Sequence, residues 1–177
     1  MAHIFKFTSI LSDRRASSYI KAGGYKNLEW YIVRGNPGAA GYGFLCRGDQ
    51  GEFIYAEARG LGIATNFIAE VMAIIGAAKW AVQNNKLNIC INSDSSAAIK
   101  AYTSGGLPWI CQTRWNRIKE ILINIQFVHS LREINFSADS LAKKGAGLER
   151  GTSQRFITKP IFISAMESPD RCYYRFC

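Results

Sequence analysis

The pattern of apolar and polar positions changes period once along this chain, separating a strand-rich first part from a largely helical second part. Residues 29–33 are rich in strand formers and run into Asn36-Pro37-Gly38, a strong turn signal. Residues 39–47 are small and apolar and predict a second strand. Gly48-Asp49-Gln50-Gly51 predicts a hairpin-type turn, and the alternation over 52–59 a third strand. Three consecutive strands on short turns imply an antiparallel meander. The period then becomes helical. Ile68, Val71, Met72, Ile75, Ala78 and Val82 recur at helix spacing over 66–84, with Thr65 or Asn66 as the cap and Asn84-Asn85 as the stop. The short apolar run 87–92 suits a buried, parallel strand. Short helices are expected from Ser95 to about Tyr102, closed by Gly105-Gly106, and over 110–122. A fifth strand at 125–129 and a last helix at 136–145 complete the order β-β-β-α-β-α-α-β-α, an α/β arrangement with a mixed sheet.

Domain organisation follows from the same pattern. Residues 26–147 are expected to form one domain, 1–25 a poorly structured leader, and 148–177 a tail laid on the surface. The first 28 residues carry Lys6, Arg14, Arg15 and several serines against a single acid, Asp13. That composition suits a transit peptide, or equally an unstructured or misjoined leader.

Charge narrows the choice of partner. The chain has 22 basic and 13 acidic residues, a net charge of +9, and its field would attract phosphate backbones rather than cations. A merely basic, soluble surface is the plainer alternative. Cys46, Cys90, Cys111, Cys172 and Cys177 are scattered, with no Cys-x-x-Cys pair, which argues against a disulfide framework or zinc site. They fit a reducing, intracellular compartment, nucleus or cytoplasm. No apolar run approaches the roughly 18–20 residues of a membrane helix.

Three carboxylates stand in apolar settings where an isolated charge is costly: Glu70, Asp94 and Asp139. Asp94 follows the buried-type strand and precedes a helix, a place where α/β sheets form sites, although an Asp there also serves as a helix cap. Glu70 and Asp139 each fall near the start of a helix, where an acid also complements the dipole. Any one is weak evidence; three at one sheet edge point to metal binding or acid–base chemistry. His129 ends the fifth strand and could shuttle protons beside them, or be a half-buried strand-end histidine.

Gly35-Asn36-Pro37-Gly38, Asn66…Ala69-Glu70, Ser93-Asp94-Ser95 and His129…Arg132-Glu133…Asn135…Ala138-Asp139…Leu141-Ala142-Lys143 together resemble the ribonuclease H family, in particular the plant reverse-transcriptase-like, retroelement-derived ribonuclease H domains. The resemblance covers about residues 26–147 in the family's order. It implies the ribonuclease H-like fold, a mixed five-stranded sheet of three antiparallel strands followed by two parallel ones, flanked by helices. It also implies hydrolysis of the RNA strand of RNA–DNA hybrids by a monomer using two Mg²⁺ or Mn²⁺ ions, a chemistry that hard oxygen ligands suit. By that resemblance Glu70, Asp94 and Asp139 are metal ligands and His129 assists proton transfer or product release. Asn36, Asn66 and Ser95 would touch nucleic acid or lie beside the site. Lys79, Lys100, Arg114, Arg117, Lys119, Lys143 and Lys144 are candidates for phosphate contacts; Trp115 is either an aromatic among them or, the reading slightly favoured, core.

The pattern departs from the family at one point. The family's first acid belongs on the first strand, four residues before Arg34, and that position is Trp30, with Tyr31 where Gly is expected. Glu29 is the nearest acid but lies one residue out of register, which on a strand means the opposite face unless the strand bulges. Three readings remain: a hybrid-specific nuclease, impaired in cleavage, with Glu29 or another group supplying the missing ligand; a catalytically inactive nucleic-acid-binding or retroelement-relic protein; and a misassembled leader over residues 1–30, the natural protein having the acid.

Overall fold

The structure, a computed structural model, describes residues 5–11, 37–48, 51–130 and 136–166. Its elements are β1 (Phe5–Leu11), β2 (Gly38–Arg47), β3 (Phe53–Ala64), α1 (Asn66–Gln83), β4 (Asn88–Ser93), α2 (Ser96–Ser104), α3 (Trp109–Ile121), β5 (Asn124–His129), α4 (Phe136–Ala146), β6 (Ser153–Phe156) and α5 (Ile161–Met166). The strands form one mixed sheet in the order β5-β4-β1-β2-β3-β6. β1, β2, β3 and β6 pair antiparallel, while β4 runs parallel to both β1 and β5.

Alternation along β2 and β3 sorts their side chains between two faces. Tyr42, Phe44, Cys46 and Tyr55 pack with Val71, Ile74 and Ala78 of α1. Leu45, Ala56 and Ala58 pack on the other side with Leu141 of α4 and Ile163 of α5. Helix α1 is buried on more than one stripe, because the sheet covers one side and α2 and α3 cover another. Thr65 caps it, its hydroxyl accepting from Ile68 N at 3.2 Å. Asn85, with φ of 55°, turns the chain out of it. Tyr102, Trp115 and Phe127 form an aromatic cluster, with Tyr102 and Trp115 edge to face at 4.5 Å. Trp115 is therefore core, as the sequence suggests. The Tyr102 hydroxyl donates to Val71 O at 2.7 Å, tying α2 to α1, and burial pushes its pKa upward.

Three expectations are corrected. The first strand was expected at 29–33, behind a poorly structured leader; those five residues lie outside the described ones. Within the expected leader the structure places Phe5–Leu11 between β2 and β4, a slot whose backbone must be satisfied on both sides. Phe5, Phe7, Thr8 and Ile10 are good strand formers, and β1 carries no Asp or Glu. The residues after 148 are not merely a surface tail. β6 adds a sixth strand to β3, and Ile163 of α5 is fully buried against Leu45, Ala56 and Leu141. Finally, the third strand runs on to Ala64, past a register shift that pairs Ala40 with Gly62 and Gly41 with Gly60 and leaves Leu61 extra.

Glycines let α4 lie directly on the sheet backbone. A Cβ on Gly41 would sit 2.1 Å from the carbonyl carbon of Gly145, and one on Gly43 would sit 2.4 Å from the Leu141 Cβ. Gly41→Ala is expected to lower unfolding stability by about 1–3 kcal/mol, the usual cost of overpacking, measured as a reduced urea midpoint. An unchanged midpoint would mean that α4 does not rest there.

Candidate functional site

The two acid-bearing helix starts meet across the end of the sheet. Ala69 of α1, Ala138 of α4 and Ala40 of β2 form one buried cluster, with Leu61 and Ala64 against it. Each helix thus contributes a small residue followed directly by a carboxylate, Ala69-Glu70 and Ala138-Asp139. Larger side chains at the alanines would hold the two helix ends apart.

Asp94 and Ser95 join this end from β4. Ser95, not Asp94, caps α2: its hydroxyl accepts from Ala98 N at 3.1 Å, and its backbone N–H donates to the Ser93 hydroxyl at 3.2 Å. The capping alternative for Asp94 therefore falls to its neighbour. The Ser95 hydroxyl also donates to Glu70 Oε2, linking β4 to α1. His129, exposed at the end of β5, lies with Nε2 3.2 Å from the backbone carbonyl of Asp94. That acceptor requires the proton on Nε2. Register supports the placement, since Ser93 pairs with His129 and the Ser130 N–H donates to Ser93 O at 3.1 Å.

Asp139 is held differently. Its Oδ2 lies 2.5 Å from Lys143 Nζ, one helical turn on. Its Oδ1 is buried with no hydrogen-bond partner, as are Asn92 Oδ1 and Ser130 Oγ. An orphaned buried acceptor costs about 1–3 kcal/mol, and a cation or water would satisfy it. The donor chemistry of Glu70, Asp94 and Asp139 would suit a hard divalent ion. Yet among the described residues no three His, Cys, Asp or Glu side chains come together closely enough to hold a metal. The acids share one end of the fold without forming a chelate.

Asn66 opens α1, half-buried. Lys79, Lys100, Arg114, Arg117 and Lys119 are exposed. Lys143 is engaged by Asp139, and Lys144 lies over the Phe162 ring at 5.3 Å, so these two also serve the fold. Glu29, Trp30 and Asn36 lie outside the described residues. Sequence reasoning missed Glu57, a buried acid on β3. Its alternation with Tyr55 and Arg59 reads as a solvent face, whereas that face lies under α1. The repeated Ala-acid pair was the legible signal for the helix junction.

Solved structures place this arrangement in a known fold. The ribonuclease H1 of the halophilic archaeon Halobacterium salinarum is 21% identical, with 81% of this chain and 96% of that one covered and a TM-score of 0.59. The N-terminal ribonuclease H domain of a Mycobacterium tuberculosis protein is 19% identical, covering 80% and 92%, with a TM-score of 0.61. A third, LC11-RNase H1 in complex with an RNA/DNA hybrid, is 21% identical, covering 81% and 96%, with a TM-score of 0.57. The fold is ribonuclease H-like. No curated protein sequence matches the chain. The profile of the reverse transcriptase-like family matches residues 32–145, and the chain belongs to that family. β1 lies outside the matched stretch, which begins ahead of β2 and ends in α4.

Ser95 binds the α2 cap and Glu70 at once. Ser95→Ala is expected to cost about 1–2 kcal/mol of stability, mostly the lost cap, with Ser95→Thr recovering most of it, both read from chemical denaturation. Equal stability of the alanine variant would remove Ser95 from this role.

Proposed function

We propose that this chain is a ribonuclease H-type domain that binds nucleic acid, an RNA–DNA hybrid or a related duplex, and that its capacity to hydrolyse the RNA strand is reduced. The observation that carries the proposal is the junction at Ala40. Through Ala69, Ala138 and Ser95 it gathers Glu70, Asp94 and Asp139 at one end of a ribonuclease H-like fold. The net charge of +9 and the exposed Lys100, Arg114, Arg117 and Lys119 supply attraction to a phosphate backbone.

Reduced hydrolysis rests on two supports. The central strand β1 has no acid, and the position that matches the family's first acid is Trp30. Glu70 and Asp139 each have a protein partner of their own, Ser95 and Lys143. Glu70, Asp94 and Asp139 are the candidate ligands for Mg²⁺ or Mn²⁺, with Glu29 the nearest further acid. Such an ion, where bound, would activate water and stabilise the leaving oxygen. His129 holds its Nε2 proton toward the Asp94 carbonyl, leaving Nδ1 as the basic nitrogen of the neutral ring.

Affinity for a labelled RNA–DNA hybrid is expected to fall steeply with salt, and Arg114→Ala with Arg117→Ala should lower the log–log slope by about 1 per lost phosphate contact. Salt-insensitive affinity would overturn phosphate-driven binding. In a Mg²⁺ or Mn²⁺ cleavage assay the chain should cut little more than Asp94→Asn. Cleavage by the unaltered chain well above that of Asp94→Asn would overturn the impairment.

A further inference from the structure

A polar cavity of about 360 Å³ lies on the α1 side of the sheet, away from the three acids. That is the lower end of the roughly 300–1,000 Å³ typical of small-ligand sites. Tyr42, Tyr55, Glu57 and Arg59 line it from β2 and β3, Arg155 from β6, and Trp80 from α1. Trp80 is ten residues beyond Glu70 on the helix, about 15 Å at roughly 1.5 Å per residue. The cavity is therefore separate from the acid-bearing end.

Its lining is charged in both senses and incompletely paired. Glu57 is only 8% exposed. Its Oε2 accepts from the Tyr55 hydroxyl at 2.7 Å and lies 3.5 Å from Arg155 Nε, while Oε1 lies 3.8 Å from Arg59. Both guanidinium distances exceed those of good N–H···O bonds, about 2.7–3.2 Å. Oε1 thus retains capacity to accept, and Arg59 and Arg155 retain donors. Burial pushes the Tyr42 phenol up to about 12, so it remains a protonated donor at neutral pH. With Lys79 also on the lining, three cations surround one carboxylate. The Tyr55 and Trp80 rings of the lining stack on each other, 4.8 Å apart at 17°.

We infer that this cavity is a site for a nucleoside phosphate, with the phosphate held by Arg59, Arg155 and Lys79 and an N–H edge of the base donating to Glu57. A bare anion would gain from the cations but would meet the Glu57 charge. A purely cationic ligand would meet the three cations. A nucleoside phosphate carries an anion, N–H donors and a planar ring, and its size suits the cavity. The same chemistry is presented by a free mononucleotide and by a unit of a nucleic-acid strand. The inference does not depend on the hybrid reading of the acid-bearing end.

The test is calorimetric titration of the full chain with guanosine 5′-monophosphate and, separately, with inorganic phosphate. Saturable binding is expected for the nucleotide, weaker for phosphate. Arg155→Ala should weaken nucleotide binding about tenfold. Lys79→Ala, at an exposed helix position, should weaken it less while keeping the fold. Glu57→Gln should weaken the nucleotide but leave phosphate unchanged or tighter, with circular dichroism checking each variant. Displacement of the nucleotide by an RNA–DNA hybrid would identify a strand as the source, and its absence a free nucleotide. The inference is overturned by no saturable nucleotide binding, by phosphate binding as tightly as the nucleotide, or by folded Arg155→Ala and Lys79→Ala variants that bind like the parent chain.

Discussion

The closeness of α4 to the sheet backbone is the constraint on which the rest of this structure depends. Gly41 and Gly43 of β2 leave no side chain between the strand and the helix, and Gly145 meets the same surface from above. That approach sets the height at which α4 begins. Ala40, Ala69 and Ala138 can then touch, and the starts of two helices on opposite faces of one sheet come together at its end. Glu70 and Asp139 follow because each is the next residue after an alanine of that cluster. The acid-bearing end of this ribonuclease H-like fold is in this sense a consequence of small residues. The acids occupy an end that the glycines and alanines have already built.

Charge is distributed around this frame in two regions. At the acid-bearing end, local partners take up part of the carboxylates' capacity: Ser95 for Glu70, Lys143 for Asp139. Along the same helix α1, roughly three turns on, the lining of the polar cavity reverses the balance, with cations in excess around Glu57. Within a chain of net charge +9 both regions favour contact with phosphate, the first only if its own negative charge is neutralised. Burial in a low-dielectric interior makes each such group costly to leave unpaired, so the incomplete pairing of Asp139 Oδ1 and of Glu57 is informative.

Much of the architecture was legible along the chain. The strands at 38–47 and 88–93, the helices α1 to α4 and the core role of Trp115 follow from periodicity and turn residues, which act locally. Other features were hidden because they are settled by competition or by distant partners. Ser95 and Asp94 are both good caps, and only the geometry of α2 decides between them. Phe5–Leu11 has no marked turn after it and a basic, serine-containing context, so its place in the sheet depends on the slot between β2 and β4. β6 and α5 are short, and their burial requires the apolar surface of Leu45, Ala56 and Leu141. Glu57 looks solvent-facing because alternation marks the two faces of a strand but not which of them a helix will cover.

By itself the sequence determined the order of elements from β2 to α4 and the family, since spacing, capping chemistry and side-chain period are properties of neighbouring residues. It also carried the substitution at Trp30. Only the tertiary structure decided which segment fills the centre of the sheet, that Glu70 is bound to Ser95, that one oxygen of Asp139 is buried without a partner, and that a charged cavity stands behind α1. Each of these depends on residues far apart in the chain being pressed together by packing, and no local pattern records that pressure.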